Sequence, residues 1–327
     1  IVVLAGVDEV HIGDTICTSE EVEPLPRIII DEPTVSMRFT KNTSPLAGRE
    51  GSIIQASKIR ERLHRETLQN VSIHVEETAD DSTLVKGRGE FQLAILIETM
   101  RREGFELCVG RPQVIYRSEN GKRTEPIELL TIDCEDAYTG VVTEKLSVRK
   151  GRLLDLKYQS SGRVELQFRV PTRGLIGYRD EMLTDTRGTG IMHTRVVGYE
   201  PYLGDFTARS TGSLVADRQG TAVPYAIFNL ESRGRMFVHP GDPVYEGMLV
   251  GEHSRDNALN VNPCKTKKLS NVRAAGNDDA VTLTPVTPVT LEAALQFIRD
   301  DEMVEATPKS LRMRKTCLLY TSDAADE

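Results

Sequence analysis

The sequence predicts an α+β chain with two tandem βαββαβ units. A β-rich C-terminal domain with one helix follows them, and the end of a β-barrel precedes them. Three observations predict it. From Thr34 to Val109 the apolar residues switch between period two and period three-to-four in a fixed order. The same order recurs about 95 residues later, in two copies only, where a solenoid would need three. Beyond residue 199 the helical period gives way to short alternating runs broken by Gly and Pro.

Residues 1–31 read as short strands around 7–14 with a Pro-rich exit, Glu23-Pro-Leu-Pro26, the end of a β-barrel. Ile1 stands inside a strand-like run, which suggests an incomplete gene product. In the first unit, residues 32–112, a strand over 34–39 leads into a flexible loop over 41–51. Ser52-Ile-Ile-Gln55 fits a capping box. The helix it opens turns Ala56, Ile59 and Leu63 inward and Arg60, Arg62 and Arg65 outward. Strands 71–75 and 83–85 pair across the acidic turn 76–81. Gly87 and Gly89 permit a tight turn that a Cβ would obstruct. A second helix carries Leu93, Leu96, Ile97 and Met100 in one stripe, Gly104 suits its C-terminal cap, and 105–109 is a strand. The order is that of a ferredoxin-like sandwich.

The second unit, residues 113–198, repeats the plan. Its elements are a strand over 127–134, a helical segment over 138–147, a hairpin of 152–158 and 163–170, a helix over 175–183 and a strand over 190–197. Late cations Lys145, Arg149 and Lys150 suit a helix C-terminus. In residues 199–316 strands are expected at 213–215, 223–230, 235–238, 244–250, 303–305 and 311–314. The one helix spans 291–299 with Thr290 as N-cap. A long polar loop runs over 253–276. Residues 317–327 read as a foreign or disordered tail.

At net charge -8 the chain is no basic nucleic-acid coat, so any RNA contact must be local. Trp is absent and aromatics make up 5%, which argues against broad stacking platforms. Five scattered cysteines without a CxxC pair disfavour zinc and a disulfide framework, and a reducing cytosol follows. Neither a membrane span nor a signal peptide is visible. No P-loop, HExxH or GxSxG occurs, and the Gly-x-Gly turn at 87–89 lacks the spacing of a phosphate loop. His74 and His193 stand alone in strands, and no enzyme site emerges.

Two segments remain as candidates. The loop 253–276 holds Arg255, Lys265, Lys267, Lys268 and Arg273 against Asp256, about +4, with Asn257, Asn260, Asn262 and Asn271 between. Lys and Arg neutralise phosphates, and Asn can bond base edges or ribose. From charge alone it is equally an RNA-contacting finger or a solvated loop. The second is the Pro171–Gly190 segment, where Arg173 and Arg179 are expected to stand exposed beside a helix start suited to phosphate. Packing glycines with surface arginines explain it as well.

These residues carry a resemblance. Lys86-Gly-Arg-Gly-Glu90 with Gln92-Leu93, then Arg111-Pro112 leading to Tyr116-Arg117, is similar to the third domain of elongation-factor-G-like translational GTPases. PTRGLIGYRDEMLTDTRGTG, residues 171–190, resembles their fifth domain. The RGLIGYR form resembles the TypA/BipA family. So do Asp31-Glu-Pro-Thr-Val-Ser-Met37, Asn42-Thr-Ser-Pro45 and Met100-Arg-Arg-Glu-Gly-Phe-Glu-Leu107. The last domain is similar through Tyr245-Glu-Gly247, Gly251-Glu-His-Ser-Arg255 and Lys267-Lys-Leu-Ser-Asn-Val-Arg273. Nearly the whole chain is covered.

The resemblance implies a parent with a GTPase domain, a β-barrel, two ferredoxin-like domains and a family-specific C-terminal domain. This chain would begin at the barrel's end, as the ribosome-binding portion. Its guanine-nucleotide motifs are missing, so the chain itself would be no enzyme and hold no cofactor. GTP and Mg²⁺ would belong to the missing domain. The implied partner is the ribosome, through large-subunit rRNA and A-site tRNA, in large-subunit assembly and stress-adapted translation. The chain would be monomeric, cytoplasmic and off the membrane. Carried over residue by residue, Arg255, Lys265, Lys267, Lys268, Asn271 and Arg273 fall in the loop expected to touch RNA, and Arg173 and Arg179 of the 171–190 segment are expected as further RNA contacts. The family continues a basic run where Thr316 to Glu327 does not. Two alternatives stay open: an enzyme or small-molecule sensor built on the paired units, which needs a polar pocket at their junction, and an inert truncation.

Overall fold

The computed structural model describes residues 3, 5–6, 12–17, 19, 23–26, 32–159, 162–206, 209–267 and 282–317. The expected barrel end falls largely outside them, and so does the tail beyond Cys317. The chain is a mixed α+β structure.

Val35, Met37 and Phe39 alternate with Ser36, Arg38 and Thr40, so β1 (Val35–Lys41) buries one apolar face. The first module continues with α1 (Ala56–Gln69), β2 (His74–Glu77), β3 (Thr83–Gly87), α2 (Glu90–Arg102) and β4 (Leu107–Gly110). Its strands lie in the order β4-β1-β3-β2, all antiparallel. Leu93, Leu96, Ile97 and Met100 of α2 are buried, each a contribution of roughly 1.5–3 kcal/mol. Gly104 at φ +94° ends α2, and the Phe105 N–H reaches back to Met100 O.

Three local expectations are corrected here. Ser52 caps nothing: α1 starts after Gln55, and the Ser52 and Ile53 N–H groups donate to Gly104 O at 3.1 and 3.2 Å. The loop after β1 is packed, with Asn42, Ser44 and Leu46 buried. The two turn glycines are not equally crowded. A Cβ on Gly87 would meet Gln92 Oε1 at 3.0 Å, whereas one on Gly89 would meet open space.

A short β5 (Gln113–Val114) joins β1 and leads to the second module. This comprises β6 (Arg117–Glu119), β7 (Lys122–Glu135), α3 (Thr139–Val148), β8 (Arg152–Tyr158), β9 (Arg163–Pro171), α4 (Thr172–Leu175), α5 (Tyr178–Asp185) and β10 (Ile191–Pro201). Its sheet order is β10-β7-β9-β8, with β6 on β7. The single helix expected over 175–183 is two helices, because Gly177 at φ +70° breaks the chain between α4 and α5.

The third module holds β11 (Gly212–Ala216), β12 (Gly220–Thr221), α6 (Pro224–Glu231), β13 (Gly234–Met236), β14 (Pro243–Val244), β15 (Met248–His253), β16 (Leu259–Val261), α7 (Leu291–Phe297), β17 (Glu302–Ala306) and β18 (Leu311–Lys315). It has two helices among the described residues, not one. The run 223–230, expected as a strand, is α6, because Pro224 fits a first helical turn where no N–H is needed. Thr290 does cap α7, accepting the Ala293 N–H at 3.2 Å.

The first and third modules share one eleven-stranded sheet, β16-β11-β15-β18-β17-β4-β1-β3-β2, with β13 on β15 and β5 on β1. The seam is β4 against β17, Val109 opposite Val304 and Leu107 opposite Ala306. Leu291, Leu295 and Met313 of the third module enter the same core as Phe39 and Ile97 of the first. Across the seam Glu305, fully buried, accepts from Asn42 Nδ2, Ser44 Oγ and Arg312 Nη1 at 3.0 Å each and from the Tyr245 hydroxyl at 2.6 Å. Burial, then the Glu305 carboxylate, push the Tyr245 phenol up. Glu106, equally buried, accepts the Gly48 and Glu50 N–H groups at 2.7 and 2.9 Å. Buried carboxylates are tolerated here because donors surround them.

Candidate nucleic-acid interface

The basic loop is rooted rigidly. A Cβ on Gly212 would lie 1.9 Å from Asn257 O, so the segment after β15 can cross β11 only over a glycine. Arg299 donates to Thr211 O at 2.8 Å and Asp256 O at 3.1 Å, and His253 Nδ1 lies 2.8 Å from Asn257 O. The expected loop over 253–276 is then interrupted by β16, which pairs parallel to β11. From this root Arg255, Lys265 and Lys267 stand exposed. Lys268, Asn271 and Arg273 lie outside the described residues.

The two arginines of the 171–190 segment part company. Arg173 is not exposed. Its guanidinium pairs with fully buried Glu125, Nη2 to Oε1 at 3.1 Å, donates to Gly204 O at 2.6 Å and stacks on Tyr202 and Phe206. Its charge is neutralised inside the second module. Arg179 is exposed, with its guanidinium 5.7 Å from the Phe91 ring of α2. Gly174 sits tightly, since a Cβ would meet Arg149 O at 2.6 Å. The glycine at this turn serves packing.

Arg179 borders a cavity of about 380 Å³ where the three modules meet. Glu90 of α2, Glu128 of β7, Asp180 of α5 and Glu292 of α7 line it, among Phe91, Leu175 and Leu295. Glu90 accepts the Gly177 N–H, at 2.9 Å to Oε1 and 3.2 Å to Oε2, and so ties the first module to the second. Burial, with Asp180 and Glu128 adding to it, pushes the Glu90 carboxyl up to about 7 against the pull of the Gly177 N–H. Burial also raises Glu128. Arg88 and Arg179 line the same cavity, so its charge is mixed.

Among the described residues no His, Cys, Asp or Glu cluster is placed to hold a metal, and Cys17, Cys108, Cys134, Cys264 and Cys317 are free thiols. No helix among them is long and apolar enough to cross a membrane. The sequence reading missed α6, which brings exposed Tyr225, Phe228 and Asn229 beside the loop root. The signal was present: extended Val223 followed by Pro224.

Two family models and several curated proteins resemble this chain. The family model "TypA/BipA C-terminal domain" matches residues 211–319, and "Elongation factor G C-terminus" matches residues 122–209. The large ribosomal subunit assembly factor BipA of Escherichia coli K12 is 48% identical over 317 residues, covering 96% of this chain and 52% of that protein. Its namesake in Haemophilus influenzae is 47% identical over 97% of this chain and 52% of that protein, and that of Buchnera aphidicola 45% over the same shares. The chain thus spans about half the length of the curated relatives it matches. A solved structure from Thermus thermophilus aligns with a TM-score of 0.36 at 13% identity, over 57% of this chain and 44% of that one. By its sequence and its domain matches, the chain belongs to the TypA/BipA family.

Proposed function

We propose that this chain is the ribosome-docking portion of a large-subunit assembly factor. The parent would be a cytoplasmic translational GTPase whose nucleotide domain lies in the half of the relatives not spanned here. Both βαββαβ modules are read as ferredoxin-like spacers, and the third module presents its loop to ribosomal RNA and A-site tRNA. The observation that carries this is electrostatic. Arg255, Lys265 and Lys267 stand exposed on a fixed root in a chain of net charge -8, an arrangement that concentrates positive potential where a phosphate backbone can meet it. The rest of the cationic run, Lys268 and Arg273, follows in sequence.

Reversal of Lys265, Lys267 and Lys268 to Glu is expected to weaken co-sedimentation with large subunits at least tenfold and flatten its salt dependence. Unchanged sedimentation removes the loop from the proposal. The junction cavity favours a second reading, a small-molecule sensor. A ligand-dependent thermal shift in a chain without ribosome affinity would select it.

A further inference from the structure

Beside the loop root lies a cleft of about 560 Å³, within the size range of small-ligand sites. One wall is α6 and the other is the segment around β16. The Val223 N–H donates to Pro263 O at 3.0 Å and the Asp217 N–H to Val261 O at 2.9 Å, so both walls are fixed before any partner arrives. Ala226 and Ile227 turn into the core, which leaves Tyr225 and Asn229 facing out. The polar lining comes from Tyr225, Asn229, Arg233, Asn260, Asn262 and Lys265, and no carboxylate joins it among the described residues. In a chain with 49 acidic residues that absence is informative.

The two amides at opposite walls are oriented by their neighbours. Asn229 Nδ2 donates to Tyr225 O at 2.6 Å, which leaves its carbonyl oxygen to accept. Asn262 Oδ1 accepts the Cys264 N–H at 2.9 Å, which leaves its NH₂ to donate. An acceptor and a donor fixed in this way complement the edge of a planar base. Tyr225, a residue 36% exposed, offers its ring, and Arg233 and Lys265 offer charge to a phosphate.

We infer that this cleft holds one unpaired nucleotide of single-stranded RNA. The base stacks on Tyr225, the Asn229 and Asn262 amides meet its edge, and Lys265 and Arg233 neutralise the adjoining phosphates. The inference deepens the ribosome-docking proposal and rests on it. An acidic peptide would use the two cations but leave the ring and both amides idle.

The test is fluorescence anisotropy of the full chain with three labelled probes: a short mixed-sequence single-stranded RNA, an abasic strand of equal length, and polyglutamate. Tyr225→Ala is expected to weaken RNA binding about tenfold and leave the abasic strand unaffected, while Tyr225→Phe keeps wild-type affinity. Lys265→Ala should lower the salt slope for RNA by about 0.7. Equal RNA affinity for wild type and Tyr225→Ala, no RNA binding at low salt, or polyglutamate bound tighter than RNA would each overturn the cleft. Co-sedimentation separates the two proposals. Subunit binding with an RNA isotherm blind to Tyr225→Ala sinks the cleft alone. RNA binding through Tyr225 without subunit binding sinks the docking role alone.

Discussion

The first and second modules share an element order and a strand order, yet one is fused into a larger sheet and the other stands alone. The difference lies in their last strands. β4 reads Leu-Cys-Val-Gly, uncharged and buried, and offers β17 an uninterrupted ladder. β10 occupies the same place in the second module and reads Ile-Met-His-Thr-Arg-Val-Val-Gly-Tyr-Glu-Pro. It carries His193 and Arg195, its register shifts between Val196 and Gly198, and Pro201 ends it. Charge, bulge and proline are the devices that keep an edge strand from pairing. At the far edge, β8 has charged Arg152, Asp155 and Lys157 and a register shift of its own. The cores follow suit: that of the second module draws only on its own residues, while the first shares its core with the third. The edge strand, more than the element order, decides which module becomes part of something larger.

This contrast can be broken at its strongest point first. Glu305→Ala removes the acceptor of four donors at the seam and strands part of the Arg312 charge, at a cost of about 3–5 kcal/mol. The urea midpoint should fall, and amide exchange should rise in β1, β4, β17 and β18 while β7 and β9 stay protected. Exchange rising equally in β7 and β9 would deny the modules their separate standing. A smaller effect is expected from Gly177→Ala. Its φ of +70° costs an L-residue about 1–2 kcal/mol, and the new methyl displaces Gln296 of α7. The loss should appear at the contact of the second module with the others, leaving the seam intact.

Smallest is the Glu90→Gln effect, read through pH. Because the folded carboxyl titrates near 7, above its unfolded value, the folded state holds the extra proton between about 4.5 and 7. Stability from this group is therefore full in acid and declines as pH rises through 7. The wild type should lose more melting temperature than Glu90→Gln between pH 5 and pH 8. Parallel losses would place the Glu90 proton elsewhere.

Elements with long stripes or regular alternation were legible in the sequence: β1, α2, β9 and α7 lie where period and caps place them. Misreadings cluster where a tertiary contact overrode a local signal. Ser52 has the right spacing for a cap, but its N–H is taken by Gly104 O. The Gly177 break needed a left-handed residue that no stripe announces. Alternation in 223–230 read as a strand, because eight residues fit either period when Pro224 is ignored. Of the candidate site, the exposed cations of the loop root were legible from charge. Arg173 was not, since its partner Glu125 lies 48 residues away and only the fold brings them together.

The ladder from β2 to β16 passes through nine strands without interruption. At about 4.8 Å per strand it forms a plank some 40 Å across, stiffened by every rung. The root of the basic loop, after β16, therefore belongs to the same hydrogen-bonded sheet as the far rim at β2. The second module lies outside that ladder and is tied to it where Glu90 accepts the Gly177 amide.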